Sequence, residues 1–316
     1  MIVDQLDAYR KMLLIRFFEE EIYKLNKLGL LQGTAHLYIG MEAIAVGACT
    51  TMLNGDYLTS THRGHGHGIA CGLDTGRMMA EILGRVDGYC GGKGGSMHIA
   101  DISHGMLGAD GIVGGGIPIA VGAAVGSRLK AESSVVLCFF GEGATNQGSF
   151  HEGLNFAAVQ KLPVVFICEN NLWALSASFK EFTAGGSVAA RAAGYGIPGA
   201  RVDGNNVTAV FEAVAVAARR ARQGLGPSLL ECETYRWEGH SIFTRQDNRP
   251  DEEILHWKNR DPIQQYRNKL VESHAYPIQT LLEVEAQVGT QISNAAEYAK
   301  NSPMPDPGSA LEHVFA

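Results

Sequence analysis

The stretches Val-Val-Leu-Cys-Phe-Phe-Gly-Glu-Gly (135–143) and Pro-Val-Val-Phe-Ile-Cys-Glu-Asn-Asn (163–171) decide the fold of this 316-residue chain. Each is a continuous apolar run that ends in polar residues, as expected of parallel strands that are covered on both faces. The segment from about 148 to 160 has helical spacing, so the three pieces predict a strand–helix–strand unit. Because the carboxyl ends of parallel strands lie at one edge of a sheet, Glu142 and Asn171 are expected to face the same pocket.

The rest of the pattern extends this unit into an α/β protein with a mostly parallel sheet and helices on both faces. Hydrophobic periodicity predicts further helices over 4–29, 41–53, 75–83, 119–129 and 208–223, and further strands over 57–61 and 228–235. The first of these strands is expected to open into a loop rich in histidine and arginine. Residues 84–115 are expected to form one long, functional loop, and the C-terminal part to be mostly helical. We therefore expect a single domain over 1–316, with an N-terminal helix and a C-terminal helical extension.

The composition argues against several classes of protein. A hydrophobic content of 46% and a charged content of 19% are typical of a soluble globular protein. The net charge of −7 argues against a nucleic-acid partner. No apolar run approaches the roughly 18 residues of a membrane span, and the N-terminus lacks a signal core. The six cysteines form no CxxC pair, so we predict reduced thiols and a cytoplasmic location.

The polar residues that end the two strands predict a magnesium–diphosphate site. Magnesium prefers hard oxygen ligands, and Glu142, Asn171 and a backbone carbonyl just beyond Asn171 would supply three of them. Gly141 and Gly143 would let backbone amides approach phosphate oxygens, and the helix from about 148 would point its positive end at them. A tight turn with a solvated glutamate is the alternative, which the Asn-Asn pair one crossover away disfavours.

The segment from Gly141-Glu142-Gly143 to Asn170-Asn171 resembles the thiamine diphosphate motif, which begins Gly-Asp-Gly and closes in Asn-Asn. Four further stretches resemble the alpha subunit of the decarboxylating component of 2-oxo acid dehydrogenase complexes: 91–98, 111–114, 161–163 and 235–241. The likeness covers nearly the whole chain. Within that family, His-Arg-Gly-His-Gly-His (62–67) and the stretch His-Ile-Ala-Asp (98–101) followed by Gly-Met-Leu-Gly (105–108) look more like acetoin dehydrogenase than pyruvate dehydrogenase alpha subunits.

The resemblance implies thiamine diphosphate and Mg²⁺ as cofactors, held in a thiamine diphosphate-binding fold. The implied metal ligands are Glu142, Asn171 and the carbonyl of Trp173. Further cofactor contacts are implied for His62, Arg63, Gly111, Val113, Gly143, Ala144 and His240. His36 and His240 would line the mouth of the site as catalytic candidates, His240 on a loop that orders over the cofactor. Two positions depart from the family pattern, since Glu142 replaces the usual aspartate and Trp173 stands where tyrosine is common.

The family also implies an activity and partners. The chain would be the alpha subunit of an acetoin- or pyruvate-cleaving enzyme, working with a beta subunit in an alpha2beta2 heterotetramer and passing an acyl unit to a lipoyl acyltransferase. A branched-chain 2-oxo acid enzyme is an alternative. So is a cofactor-weakened paralogue with a structural role, which only Glu142 favours. A nicotinamide dehydrogenase is disfavoured because no GxGxxG turn follows a first strand.

Some of these residues also have plainer interpretations. His62, His65 and His67 resemble a zinc cluster, but no fourth ligand with suitable spacing is evident. Without the family likeness, His36 would more readily be a structural histidine. Lys93, between four glycines, is either a phosphate ligand or a packing residue, because the GxxxxGK[ST] order is absent.

Overall fold

The computed structural model describes residues 4–244 and 248–312. Its strands are β1 (Tyr57–Thr59), β2 (Met106–Gly108), β3 (Val136–Gly141), β4 (Val164–Asn170), β5 (Trp173–Ala174), β6 (Ala177–Ser178), β7 (Gly199–Asp203) and β8 (Ser228–Glu233). Within the described ranges, six of them form one sheet in the order β2-β1-β3-β4-β8-β7, and every neighbouring pair is parallel. The two short strands β5 and β6 form a separate antiparallel hairpin. The predicted α/β class with a parallel sheet is confirmed.

Helices surround this sheet. They are α1 (Gln5–Lys27), α2 (Glu42–Cys49), α3 (Gly64–Cys71), α4 (Thr75–Ile82), α5 (Gly116–Leu129), α6 (Gly148–Val159), α7 (Phe179–Phe182), α8 (Val207–Arg222), α9 (Asp251–Lys258), α10 (Pro262–Glu272) and α11 (Ile278–Asn301). The Asp4 carboxylate caps α1, accepting the backbone N–H groups of Leu6 and Asp7. In the described part of the chain, no helix has the length and apolarity to cross a membrane.

Two apolar cores lie on opposite faces of the sheet. Along β3, Leu137 and Phe139 belong to the core formed with α1, α2, α4, α8 and α11. The alternate residues Val136, Cys138 and Phe140 belong to the other core, formed with α5 and α6. Side chains alternate between the faces of a strand, so a strand covered on both sides must be apolar throughout. This explains the uninterrupted hydrophobic runs in the sequence.

The prediction of a histidine- and arginine-rich loop after β1 is wrong, because residues 64–71 form α3. Three glycines in eight residues disfavour a helix intrinsically, but close packing requires them. A Cβ on Gly66 would collide with the Tyr38 ring, and one on Gly64 would lie 2.7 Å from the Ala109 methyl. Tertiary packing therefore overrides local propensity here.

The long segment 84–115 is only partly irregular. It contains a 3₁₀ turn at Ile102–His104 and the sheet strand β2, neither of which was predicted. The buried Glu81 carboxylate organises its glycine-rich part by accepting four backbone N–H groups at 2.7–3.0 Å, those of Cys90, Gly92, Gly94 and Gly95. Lys93 donates to the carbonyl of Ser309 at 2.5 Å, which favours packing over phosphate binding.

Candidate active site

The ends of β3 and β4 lie side by side, with Gly141 paired to Glu169. A cavity of about 330 Å³ opens at this edge of the sheet. Glu142 follows β3 and its Oε2 accepts the backbone N–H of Asn171 at 3.2 Å. The Asn171 Oδ1 accepts the backbone N–H of Trp173 at 3.3 Å. Glu142, Asn171 and Trp173 all line the cavity, so the predicted oxygen ligands come together on one wall.

The Glu142 carboxyl group is buried at the cavity wall. The residue is 1% exposed, and no ion pair within the described ranges involves it. Burial raises its pKa to about 7, against the lowering effect of hydrogen bonds and of Arg236 and Arg63. A buried carboxylate that lacks a cation but lines a cavity with other oxygen donors has the chemistry of a divalent-cation site. The residues present therefore fit Mg²⁺.

Arg63 supplies a fixed positive charge to the same cavity. Its guanidinium donates to the carbonyl oxygens of Leu37 at 2.8 Å and His240 at 2.9 Å. Burial and the nearby Arg236 lower its pKa to about 9, so it remains charged at neutral pH. With five N–H donors on one guanidinium, Arg63 is suited to hold an anion such as a phosphate group.

Backbone geometry around the β3 end leaves room for an anionic group. Around Gly141, no heavy atom lies within 4 Å of the position that a Cβ would occupy. At Gly143, a Cβ would lie 2.9 Å from that of Ala174. Gln147, at the amino end of α6, lines the cavity and makes no side-chain cap bond to the helix. A diphosphate at this position would meet the free N–H groups of a helix start.

Three imidazoles from distant parts of the sequence meet beside Arg63. Ring centroids lie 4.6 Å apart for His36 and His62, 4.7 Å for His36 and His240, and 5.5 Å for His62 and His240. Burial and the charge of Arg63 lower their pKa values to about 4 for His36, about 2 for His62 and about 3 for His240. All three rings are therefore neutral at pH 7.

The other two histidines of the 62–67 stretch point elsewhere, into buried networks. His65 Nδ1 bonds Glu19 and its Nε2 bonds the Ser96 hydroxyl. His67 Nε2 donates to the Glu169 carboxylate at 3.1 Å, and its Nδ1 bonds the Ser60 hydroxyl at 2.7 Å. The three histidines 62, 65 and 67 thus do not converge, and the zinc cluster weighed from the sequence is not formed.

The segment that carries the Trp173 carbonyl is anchored from outside the site. The Trp173 indole N–H donates to Glu253 Oε1 of α9 at 2.6 Å. Arg236 donates to the carbonyl of Leu175 at 2.8 Å. Leu172 and Leu175 adopt left-handed backbone angles, φ +69° and +56°, which are costly for leucine. These two hydrogen bonds help to hold a strained turn in place.

Nine of the eleven predicted site residues line the cavity. The exceptions are His36, which packs behind His62 and His240, and Gly111, whose neighbours Asp110 and Ile112 line it instead. Sequence reasoning assigned no role to Glu169 or Ser60, which also line it. The position of Glu169, directly before the Asn-Asn pair at a strand end, was the available signal.

Fold and site together define an α/β protein with a cavity beyond the carboxyl ends of a parallel sheet, lined by a buried carboxyl group, a carboxamide and an arginine. The family described as "Dehydrogenase E1 component" matches residues 9–308, and the chain belongs to that family. Among its relatives are the alpha subunits of acetoin:2,6-dichlorophenolindophenol oxidoreductase from Bacillus subtilis, at 48% identity over 97% of this chain and 92% of the relative, and from Cupriavidus necator, at 44% over 98% and 93%. The pyruvate dehydrogenase E1 alpha subunit of Rhizobium meliloti is 39% identical over 96% and 87%.

Proposed function

We propose that this chain is the alpha subunit of a thiamine diphosphate-dependent E1 component that cleaves acetoin or pyruvate. As one domain it binds the diphosphate half of the cofactor. Glu142, Asn171 and the Trp173 carbonyl hold Mg²⁺, while Arg63 and the amides near Gly143 and Ala144 hold phosphate oxygens. The buried, unpaired Glu142 carboxylate beside Asn171 at the cavity wall carries this proposal.

Thiamine diphosphate, once bound, would supply a nucleophile for the substrate carbonyl and an electron sink for cleavage of the C–C bond. This chain's own residues bind and orient it. The wall formed by Phe139, Phe140 and Val113 is apolar and limits water around the charged groups, which strengthens their electrostatic interactions. The neutral ring of His240, which also lines the cavity, can hold or transfer a proton at a ring nitrogen.

Acetoin is the substrate that similarity favours. Identity is 48% and 44% with two acetoin-specific alpha subunits, against 39% or less with the pyruvate dehydrogenase alpha subunits. The stretch 62–67, which looks more like acetoin dehydrogenase than pyruvate dehydrogenase alpha subunits, places His62 at the cavity and also favours acetoin. Pyruvate and branched-chain 2-oxo acids are the alternatives that a substrate test must include.

The exposed apolar surface of helices α5 and α6 fits a beta subunit as partner. Two neighbouring helices, α5 and α6, expose large apolar side chains: Ile119 at 50%, Leu129 at 81%, Phe156 at 48% and Val159 at 69%. Around the helix glycines Gly122 and Gly126, no heavy atom lies within 4 Å of a Cβ position. An apolar face with room for close helix approach is typical of a subunit interface. An alpha2beta2 heterotetramer, with transfer of the acyl unit to a lipoyl acyltransferase, is the assembly we propose.

A cytoplasmic location completes the proposal. All six cysteines, which lie within the described ranges, are free thiols, as is usual in a reducing compartment. Fractionation of the native host, with the chain followed by antibody, would test the location directly.

Co-expression with the beta chain tests the activity. The purified complex is expected to reduce 2,6-dichlorophenolindophenol in a thiamine diphosphate- and Mg²⁺-dependent manner, fastest with acetoin among acetoin, pyruvate and branched-chain 2-oxo acids. Calorimetry with the cofactor and Mg²⁺ separates this from a structural paralogue, which would give no metal-dependent heat. Absence of turnover with every substrate, despite binding, would refute the proposed activity.

A further inference from the structure

We infer that His36, His62 and His240 form a second metal site, for a nitrogen-preferring transition ion of the Zn²⁺ class, at the mouth of the cavity. One ring nitrogen from each residue lies within 4.8 Å of the others. The three residues come from the segment between α1 and α2, the end of β1 and the loop after β8. Their convergence is therefore a product of the fold and not of sequence spacing.

The observed spacing is within reach of a coordination shell. A tetrahedral ion with metal–nitrogen bonds of about 2.0–2.1 Å places its nitrogens roughly 3.4 Å apart. The largest separation of 4.8 Å therefore has to shorten by roughly 1.4 Å, which small rotations of the rings can supply. Among residues 4–244 and 248–312, three protein ligands come together, so a fourth position would be taken by water or by an anion.

The tautomer of His36 is already set for metal binding. Its Nδ1 lies 2.7 Å from the carbonyl oxygen of His240. Because a carbonyl only accepts, Nδ1 must carry the proton, which leaves the lone pair on Nε2. Metal-bound histidines in proteins typically donate their second ring N–H to a carboxylate or a backbone carbonyl in this way. The hydrogen bond orients the ring before any ion binds.

The surrounding charges decide which ion can bind. Arg63 donates to the same His240 carbonyl and opposes any cation. Arg236 opposes a cation as well, because besides burial both Arg63 and Arg236 lower the pKa values of all three rings. The binding free energy must therefore come from the metal–nitrogen bonds themselves. A hard ion such as Mg²⁺ gains little from imidazole, whereas Zn²⁺, Co²⁺, Ni²⁺ and Cu²⁺ bind it strongly. The histidine site should therefore discriminate against Mg²⁺, which the oxygen ligands Glu142 and Asn171 favour.

A metal ion bound by the three histidines would block binding of thiamine diphosphate. This consequence rests on the proposed function. His62 and His240 line the cavity together with Arg63, so an ion held by the histidines lies where the diphosphate must pass. We expect Zn²⁺ to act as a competitive inhibitor of cofactor loading in the apo-protein, and Mg²⁺ not to relieve it.

Cobalt spectroscopy of the full chain, freed of metal by chelation and dialysis, tests the site. Titration with Co²⁺ should produce visible d–d absorption that saturates at one ion per chain, and Zn²⁺ should displace it. His62→Gln should weaken Co²⁺ binding at least tenfold, with His240→Gln as a second variant should the first fail to fold. His256→Gln, at an exposed histidine on α9, is the matched control and should bind like the wild type. No saturable absorption, or equal binding by a folded His62→Gln variant, would overturn the inference.

A parallel titration with thiamine diphosphate and Mg²⁺ separates this inference from the proposed function. Because the proposed function includes a beta subunit, the cofactor titration uses the co-expressed complex. Saturable Co²⁺ absorption by the chain, without cofactor binding by the complex, would support the histidine site and refute the proposed function. Cofactor binding without Co²⁺ absorption would do the reverse. If both bind, preloading with one equivalent of Zn²⁺ should raise the apparent cofactor Kd at least tenfold in the wild type. In His62→Gln the Kd measured with Zn²⁺ should equal that variant's own Kd measured without Zn²⁺.

Discussion

Replacing Glu142 by glutamine is expected to stabilise the cofactor-free chain while it abolishes metal binding. Glu142 is 1% exposed, and burial raises its pKa from 4.5 to about 7. A carboxyl group whose folded-state pKa is raised favours folding below its unfolded pKa, and this contribution is lost as the pH rises through the folded pKa. Above pH 7 the folded chain must therefore hold a poorly solvated charge that the unfolded chain exposes to water.

The magnitude follows from the two pKa values. Relative to a carboxyl group with an unshifted pKa, proton linkage lowers the free energy of unfolding of the wild type by about 1.4 kcal/mol at pH 5.5 and by about 3.4 kcal/mol at pH 8. Glutamine does not titrate, so the difference in the free energy of unfolding between Glu142→Gln and the wild type should move by about 2 kcal/mol in favour of the variant from pH 5.5 to pH 8.

Urea unfolding in the presence of a chelator, at both pH values, measures this difference. Glu231→Gln is the matched control, because Glu231 is also buried but hydrogen bonds from Ala189, Ser187 and Asn170 lower its pKa. Its variant should be destabilised by the same amount at pH 5.5 and pH 8. With thiamine diphosphate and Mg²⁺ added, only the chains that keep Glu142 should gain ligand-induced stability. A Glu142→Gln difference that stays constant with pH would refute the reasoning.

Three further perturbations have defined outcomes. Gly143→Ala places a Cβ 2.9 Å from that of Ala174, so the turn after β3 must shift away from the 173–174 segment. Cofactor affinity by calorimetry should fall at least tenfold, with some loss of unfolding free energy, and an unchanged affinity would contradict the proposed cradle. Trp173→Phe removes the 2.6 Å indole bond to Glu253 and should weaken Mg²⁺ binding about tenfold; if Glu253→Leu, which removes the acceptor, has no effect on Mg²⁺ affinity, the anchor is not needed. His36 has a pKa lowered to about 4, so its stabilising effect is present above pH 6.5 and lost as the pH falls towards 4. Between pH 7.5 and pH 5.5, the wild type should lose about 1.3 kcal/mol more unfolding free energy than His36→Asn, and parallel pH curves would show that the ring is not held neutral.

The sequence predicts the central strands and the helices beside them well, because their hydrophobic patterns can be recognised within single segments. The apolar runs of β3 and β4 and the amphipathic α8 carry strong periodic signals. Glu142 and Asn171 could be brought together from sequence because one crossover connects two adjacent parallel strands. In this part of the chain, the elements predicted from single segments lie where the observed sheet topology places them.

The parts that sequence reasoning missed depend on contacts between distant segments. Helix α3 contains three glycines, and only the Tyr38 ring and Ala109 explain them. Strands β2 and β7 are short and lie at the two edges of the sheet. An edge strand is less completely buried than a central one, and β7 is largely exposed, so its sequence lacks a continuous apolar run. The meeting of His36 with His62 and His240 joins residues about 26 and 204 positions apart, which spacing cannot reveal.

The two-sided burial of β3 ties the fold and the chemistry to one register. Consecutive residues from Val136 to Phe140 serve opposite cores, and Glu142 follows two residues later. Deleting one residue here would send every side chain to the wrong face and also withdraw the carboxylate from the cavity by one strand step, about 3.3 Å. Evolution can therefore exchange one apolar residue for another along this strand, but a change of its length would damage folding and catalysis in the same event.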